Sequence, residues 1–514
     1  MESNDYHATN LSTVLLVDEE RGEEDFGSDS EKERIGIDEI LTVYTGEFGK
    51  WQKIHFVLTS LAWALEALHT MVMIFTDQEP FTSTPNICDV EPSFRNWSQG
   101  SGSSTVSEFG LVCGKKYQVG LVQSMFFAGC MIGSGIFGHL SDSFMGRKGC
   151  LTVVSLMNFM FGFLTAFSQQ YWVYCLLRFL TGISTGGVGL CAFVLATEPI
   201  GPSKRGQAGM STFYFFSMGF IIVAGMGYVC QSSWRLLYVV TSIPSLLFLL
   251  FVLPFISESP RWYLVKGKLS ETMVVMNAIA RTNGKPDIPA RVIPHMDNDD
   301  DDDDYEEINQ KNTTAKVSFT ILDVIRSPVT RWRLILAVAI NFMCSIVYYG
   351  LSLNVINLKT NIYFSVVLNS LAEIPAYMLT TCLLGTFGRK PLTIGSLWLS
   401  GVFCIAGSLM GTTGKMKMVC GMLGIFGISG TYNLLFVYTT ELFPTVVRNT
   451  ALGCISQASQ MGAILAPIVV LMGETLPFQV FGLCGIVGGI IAFYLPETKD
   501  KPLYDTIAGM EFKV

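Results

Sequence analysis

Gly138-His139-Leu140-Ser141-Asp142-Ser143-Phe144-Met145-Gly146-Arg147-Lys148 joins two long apolar stretches, and its last three residues return as Gly388-Arg389-Lys390. Two further charged signposts repeat at nearly the same interval. Glu198 and Arg205 return as Glu441 and Arg448, and Glu258 in Ser257-Glu258-Ser259-Pro260-Arg261 returns as Glu497 in Pro496-Glu497-Thr498-Lys499. A period of roughly 240 residues is far too long for a solenoid, and the sequence between the signposts is almost wholly apolar. The chain therefore reads as a duplicated bundle of membrane helices.

Composition supports that reading. Of 514 residues 50% are hydrophobic and only 15% charged, too little charge to cover a soluble surface. The net charge of −8 owes much to the Asp299–Asp304 run and the acidic first forty residues, both outside the apolar spans. The run is self-repelling and reads as a solvated linker. No basic patch suits nucleic acid. The thirteen cysteines are scattered, mostly singly in apolar segments, with no zinc-ligand spacing. No convergent nucleophile–base pair is legible, so an enzyme is disfavoured.

Twelve segments meet the length of roughly 20 apolar residues that a spanning helix needs. Six run over Ile54–Phe75, Gly120–Leu140, Cys150–Phe167, Trp172–Ala192, Met210–Val229 and Trp234–Ile256. Six more run over Trp332–Leu353, Tyr363–Leu384, Leu392–Met410, Val419–Tyr438, Ala451–Met472 and Phe478–Leu495. The expected fold is an all-α membrane protein of twelve transmembrane helices in two pseudo-symmetric six-helix halves. Residues 1–53 form an acidic tail, 54–256 the first half, 257–331 a central loop, 332–495 the second half and 496–514 a C-terminal tail. The connections carrying Arg147, Lys148, Arg205, Arg389, Lys390 and Arg448 share one side, which the bias of Lys and Arg assigns to the cytosol with both termini. No signal peptide precedes the first span. The loop 77–117 then faces the exterior or an organelle lumen. It holds a glycosylation sequon at Asn96, and Cys88 and Cys113 are either a disulfide or two free thiols.

The Gly138–Lys148 stretch resembles the loop motif of the major facilitator superfamily, with Gly138, Asp142, Gly146, Arg147 and Lys148 at the matching spacings. The physics suits a gate: glycines permit a tight turn, and Asp142 can meet a helix N-terminus or an Arg across the half-bundle interface. In the second copy Leu384 stands where the Asp would be, which predicts a weaker latch around Gly388, Arg389 and Lys390. The pairs Glu198–Arg205 and Glu441–Arg448 are expected to bridge neighbouring helix ends. The Ser257–Trp262 element, with Glu258 and Arg261, is shared by the sugar-porter and organic-ion branches. The large loop after span one, Glu441-Leu442-Phe443-Pro444-Thr445-Val446-Val447-Arg448-Asn449 and Pro496-Glu497-Thr498 favour the organic-ion branch. Phe75-Thr76-Asp77-Gln78-Glu79-Pro80 resembles the plant organic cation/carnitine transporters. That resemblance implies alternating access and a small organic cation or zwitterion such as carnitine as substrate. The same resemblance makes the vacuolar membrane the expected location in preference to the plasma membrane.

Charge inside the apolar layer costs at least ~2.5 kcal/mol, so the few ionisable residues there point to function. Glu373, in Glu373-Ile374-Pro375-Ala376, sits where relatives that handle organic cations carry an acid. A carboxylate supplies counter-charge to a trimethylammonium head, although an internal ion pair would also explain it. Tyr348 and Tyr349 offer aromatic faces for the cation, with Phe213 and Tyr214 as weaker candidates. Gln460 falls where cation carriers often have Asp and anion carriers Arg, which leaves charge preference open. Glu66 and Arg178 form either a proton-responsive set with Glu373 or a static clamp. Gly182, Gly187 and Gly189 vaguely resemble a phosphate loop, and related carnitine carriers have been credited with nucleotide binding nearby. Helix packing explains these glycines better, since the Lys-Ser/Thr ending is missing. No cofactor is required, a proton or cation gradient is the expected drive, and lipid and substrate are the only partners expected of a monomer. Against this stand a sugar or inorganic-ion porter of the same fold and a non-transporting membrane receptor.

Overall fold

The computed structural model describes residues 33–79, 104–289, 291–295, 321–358, 360–410, 414–499, 501 and 510. The sequon at Asn96, Cys88 and the Asp299–Asp304 run lie outside the described residues. Cys113 is disulfide-bonded.

The described chain is almost entirely helical. Span one is Lys50–Met71, continued by Met73–Thr76 after a break at Val72. Spans two to six are Tyr117–Leu140, Gly146–Thr165, Tyr171–Thr197, Pro202–Val229 and Trp234–Leu247, the last prolonged by a wider turn at Phe248–Val252. Spans seven to twelve are Pro328–Leu353, Ile362–Phe387, Arg389–Leu409, Gly414–Glu441, Thr445–Val470 and Leu476–Phe493. Among the described residues eleven stretches are long and apolar enough to cross a membrane, and one of them, Cys113–Thr165, contains both spans two and three. The turn between these two is π-helical, Ser141–Met145, so the chain reverses without leaving helical geometry until Gly146. Pro opens spans five, seven and twelve, where its missing N–H is no loss.

Lipid offers no hydrophobic drive between helices, so close approach does the packing. Spans two and four interlock through glycines. A Cβ at Gly129 or Gly133 would collide with the Phe179 or Ile183 carbonyl, and one at Gly182 or Gly186 with the Phe126 or Cys130 carbonyl. Gly187 likewise presses on Phe137 and Val154, and Gly189 on Glu66. The Gly182–Gly189 stretch thus lies in the interior of a closely packed helix.

Beyond the spans, Glu33–Gly36 pairs in parallel with Val292–His295. Ile35, Ile37, Ile40 and Leu41 pack there on Met276, Ile279, Ile288 and Val292. Part of what the sequence presents as an acidic tail therefore folds onto the central segment at the motif-bearing end of the bundle.

The halves meet closely at the end that carries the long loop. Phe75 stacks on Tyr363 at 5.4 Å, and Ser124 donates to the Ile464 carbonyl at 2.7 Å. Deeper, Ser134 of span two meets Gln457 of span eleven at 3.4 Å. Further on, Asp142 is 71% exposed, so spans two and eleven part toward the motif end. Spans four and ten still touch there through Phe193 and Phe436, with ring centroids 5.8 Å apart.

Candidate functional site

Glu373 lies mid-bundle on span eight and is fully buried. Its Oε2 accepts from the Ser217 hydroxyl of span five and from the Tyr377 hydroxyl at 3.3 Å, one helical turn away. Its Oε1 has no hydrogen-bond partner. The Tyr348 hydroxyl of span seven stands beside the same carboxylate and is also buried without a partner. A buried carboxylate oxygen without a close donor costs stability, a cost that a bound cation would offset.

Aromatic rings from both halves surround this carboxylate. Tyr348 stacks on Tyr432 of span ten at 4.8 Å and 17°, and Tyr349 stands edge-on to Tyr432 at 6.2 Å. Phe213 of span five lies 6.0 Å from Tyr377 and 5.4 Å from Phe436. Tyr214 meets Tyr377 at 5.7 Å, and Trp63 of span one closes on Phe213 at 5.2 Å. Tyr432 and Phe436 are partly exposed, while Tyr348 and Glu373 are buried. A carboxylate ringed by aromatic faces is the chemistry that holds an ammonium ion without needing it to donate a hydrogen bond. Neither Ser217 nor Tyr432 is singled out by the sequence. A Ser in an apolar helix and one Tyr among eighteen carry no local signal.

The structure brings Glu373, Tyr348 and Tyr349 together, and it separates Arg178 from the set. Arg178 is buried and donates to the His69 carbonyl at 2.8 Å. Its guanidinium lies over Phe126 at 4.3 Å and Tyr238 at 5.4 Å. Glu66 presses instead on Gly189, with its Oε2 out of solvent contact and without a hydrogen-bond partner. The expected Glu66–Arg178–Glu373 set therefore is not formed as a bonded unit. Gln460 is half-buried on span eleven. Two other polar side chains of that span reach neighbouring helices, Ser459 beside Tyr432 and Gln457 at Ser134.

An acid that the sequence places at the loop boundary proves central to the loop end. Asp77 is buried and accepts from Thr105 at 2.6 Å, Tyr174 at 3.1 Å and Gln123 at 3.2 Å. Tyr174 continues to Tyr238 at 2.9 Å, so this acid ties spans one, two, four and six to the loop helix Thr105–Phe109.

At the motif end the repeated charges become helix caps. Gly146 and Gly388 have φ of +77° and +88°, which L side chains rarely adopt. Glu258 accepts from the backbone N–H of Arg147 at 3.0 Å and of Lys148 at 3.1 Å, at the start of span three. Glu497 accepts from Arg389 and Lys390, both at 3.0 Å, at the start of span nine. Each carboxylate thus meets otherwise unsatisfied donors at the positive end of a helix dipole.

Ion pairing departs from the sequence expectation. Glu198 pairs with Arg147 at 3.1 Å, not with Arg205, and Glu441 pairs with Arg389 at 2.7 Å, not with Arg448. Arg205 reaches Asp38 at 2.5 Å, and Arg261 joins the same carboxylate while its Nε donates to the Glu198 carbonyl. Arg448 donates to the Phe443 carbonyl at 3.3 Å. Asp142 bonds to Arg147 of its own turn at 2.9 Å and does not cross the half-bundle interface.

Known proteins resemble this chain over most of its length. The family model for "Sugar (and other) transporter" matches residues 80–507. Organic cation/carnitine transporter 4 of Arabidopsis thaliana is 60% identical, covering 99% of this chain and 95% of that protein. Organic cation/carnitine transporter 3 of the same plant is 34% identical over 93% of this chain and 94% of that one. A solute carrier family 22 member 15-like protein of Xenopus laevis is 34% identical over 93% of this chain and 96% of that one. Among solved structures, the xylose transporter of E. coli in an inward-open conformation superposes with a TM-score of 0.63. It covers 89% of this chain and 98% of that one at 18% identity, which speaks to the fold. With the family model spanning most of the chain and full-length relatives well above the identity that shows kinship, the chain belongs to the sugar (and other) transporter family, a multi-pass membrane transporter of the kind that includes the organic cation/carnitine transporters.

Proposed function

We propose that this transporter carries small organic cations, or zwitterions with a quaternary ammonium head such as carnitine, by alternating access. The observation that carries the proposal is Glu373, a buried carboxylate with one oxygen unpartnered inside a cluster of tyrosine and phenylalanine rings from both halves. The names of the similar plant proteins point the same way. A hexose would ask instead for several amide and hydroxyl groups around its ring oxygens, and the rings near Glu373 offer mostly apolar faces.

Coupling to a proton gradient belongs to the proposal, because a proton and a substrate cation compete for the same carboxylate. The carrier works as a monomer, and the vacuolar membrane is taken over the plasma membrane on resemblance to plant carriers alone. Uptake of labelled choline, carnitine and a hexose into vesicles holding the purified protein, at two pH gradients, tests the reading. Saturable uptake of the ammonium solutes supports it, and hexose uptake without theirs rejects it. A fluorescent fusion in plant cells tests the membrane.

A further inference from the structure

We infer that Ser217 is a positioning residue for transport: its hydroxyl, reaching across from the first half, fixes the Glu373 carboxylate so that one oxygen is left for the substrate. The inference rests on the reading of Glu373 as the ammonium-holding group. Both donors to that carboxylate fall on the same oxygen, Oε2: Ser217 from span five, and Tyr377 from one turn further along span eight itself. Oε1 is thereby kept clear of them. A carboxylate turns easily about its terminal bond, where the preference is broad and roughly two-fold. Tyr377 alone would tie it only to its own helix. Ser217 adds a second anchor from another helix and the other half.

A seam along span five sets the place of Ser217. Met210, Phe213, Tyr214 and Ser217 recur at three- and four-residue steps and so share one helical face. That face meets the second half along its length. The Met210 carbonyl accepts from Asn433 at 3.4 Å, Phe213 and Tyr214 pack on Tyr377 at 6.0 Å and 5.7 Å, and Ser217 follows on Glu373. On the far side of the helix Gly219 leaves no room for a Cβ against Ala64 and Ala67, which seats span five closely on span one. On the same helix Ser211 and Thr212 return their protons to their own backbone, to the Gln207 carbonyl at 2.8 Å and the Gly209 carbonyl at 2.7 Å. Ser217 is fully buried and gives its proton to Glu373 instead. A hydroxyl is neutral, so it orients the carboxylate without cancelling the charge an ammonium ion needs, as an Arg or Lys would.

Initial-rate uptake of labelled choline into vesicles holding the purified full chain tests this with Ser217→Ala and Ser217→Cys beside the unmutated protein. The Ala variant should raise KM about tenfold, the scale of a hydrogen bond to a charged group, while the maximal rate per inserted protein stays within about twofold. Cys, similar in size but a weaker donor, should fall between. In Glu373→Asp, whose carboxylate is one methylene short of Ser217, adding Ser217→Ala should move KM by less than about twofold, because the two residues act through one contact. An unchanged KM in Ser217→Ala overturns the inference and leaves the proposed function standing. A tenfold rise that persists in the Glu373→Asp background also overturns it, since Ser217 would then act by packing. No saturable choline uptake by the unmutated protein overturns the proposed function itself.

Discussion

At the first Gly-Arg-Lys turn, Glu258 accepts from the backbone of Arg147, Lys148 and Ser259; at the second, Glu497 accepts from Arg389, Lys390, Thr498 and Lys499. Both acids seat on a helix start behind a glycine of positive φ, yet their surroundings differ. Burial, the largest influence on each, pushes Glu258 above its ordinary value of 4.5 despite its three N–H partners. At Glu497 the four N–H groups outweigh burial and hold it below 4.5. The first copy is also wrapped by Asp38, which joins Arg205 and Arg261 from a segment that the second copy has no counterpart for among the described residues. In the second copy the Thr498 hydroxyl reaches Glu441 at 2.6 Å instead. Duplication has kept the cap and let the clamp diverge, which indicates that the cap is the structural necessity and the clamp an addition.

The largest effect expected from breaking this comparison comes from the glycines. Gly146→Ala and Gly388→Ala each force a side chain into positive φ and against the capping carboxylate, with an expected loss of about 1–3 kcal/mol each. Gly146 should suffer more, since Trp262 also stands 3.4 Å from the added carbon. Thermal unfolding of the purified variants in detergent measures both. Next, Asp38→Ala leaves Arg205 and Arg261 without their shared acceptor and should cost about 1–2 kcal/mol, a loss seen in the first half alone. Proteolysis of the 33–49 segment should quicken in parallel.

A pH series sharpens the contrast between the caps. The stabilisation from Glu497 is full above 4.5 and is lost as pH falls through its lowered folded value. That from Glu258 is full below 4.5 and is lost as pH rises through its raised folded value. The destabilisation caused by Glu497→Gln should therefore shrink on acidification below 4.5, and that caused by Glu258→Gln should grow as pH falls toward 4.5. Parallel slopes would show that the two caps are electrostatically equivalent. The smallest effect belongs to the exposed acid. Asp142→Asn, and Leu384→Asp in the second copy, should each move stability by only about 0–1 kcal/mol in this conformation. A larger change in transport than in stability would assign Asp142 to the opposite access state.

The bundle is legible in the sequence because apolar runs and helix-end charges are short-range signals. Gly146, Gly388, Glu258 and Glu497 announce their turns within a few residues. Pairing is not legible, because it depends on which helix ends lie side by side: Glu198 finds Arg147 51 positions away rather than Arg205 in its own connection. Asp38 is hidden in an acidic stretch whose composition gives no hint that it folds against Arg261. Within the membrane, Glu373 stands out as a rare charge beside Pro375. Tyr432 and Ser217 do not, since nothing local separates a ring that lines the site from one that faces lipid. Gln460 and Gln457 differ by about one helical turn, too little for apolar periodicity to decide which amide reaches span two.

The central claim is that the buried Glu373 carboxylate holds the positive charge of the substrate. Initial-rate uptake of a labelled quaternary ammonium solute into vesicles by Glu373→Gln, beside Glu373→Asp and the unmutated protein, tests it most directly. The account predicts that the Gln variant, folded and inserted to the same yield, loses saturable uptake at least about 100-fold while Asp retains part of it, the scale of a buried charge partner removed. Uptake by the Gln variant at the unmutated rate and KM would contradict the account.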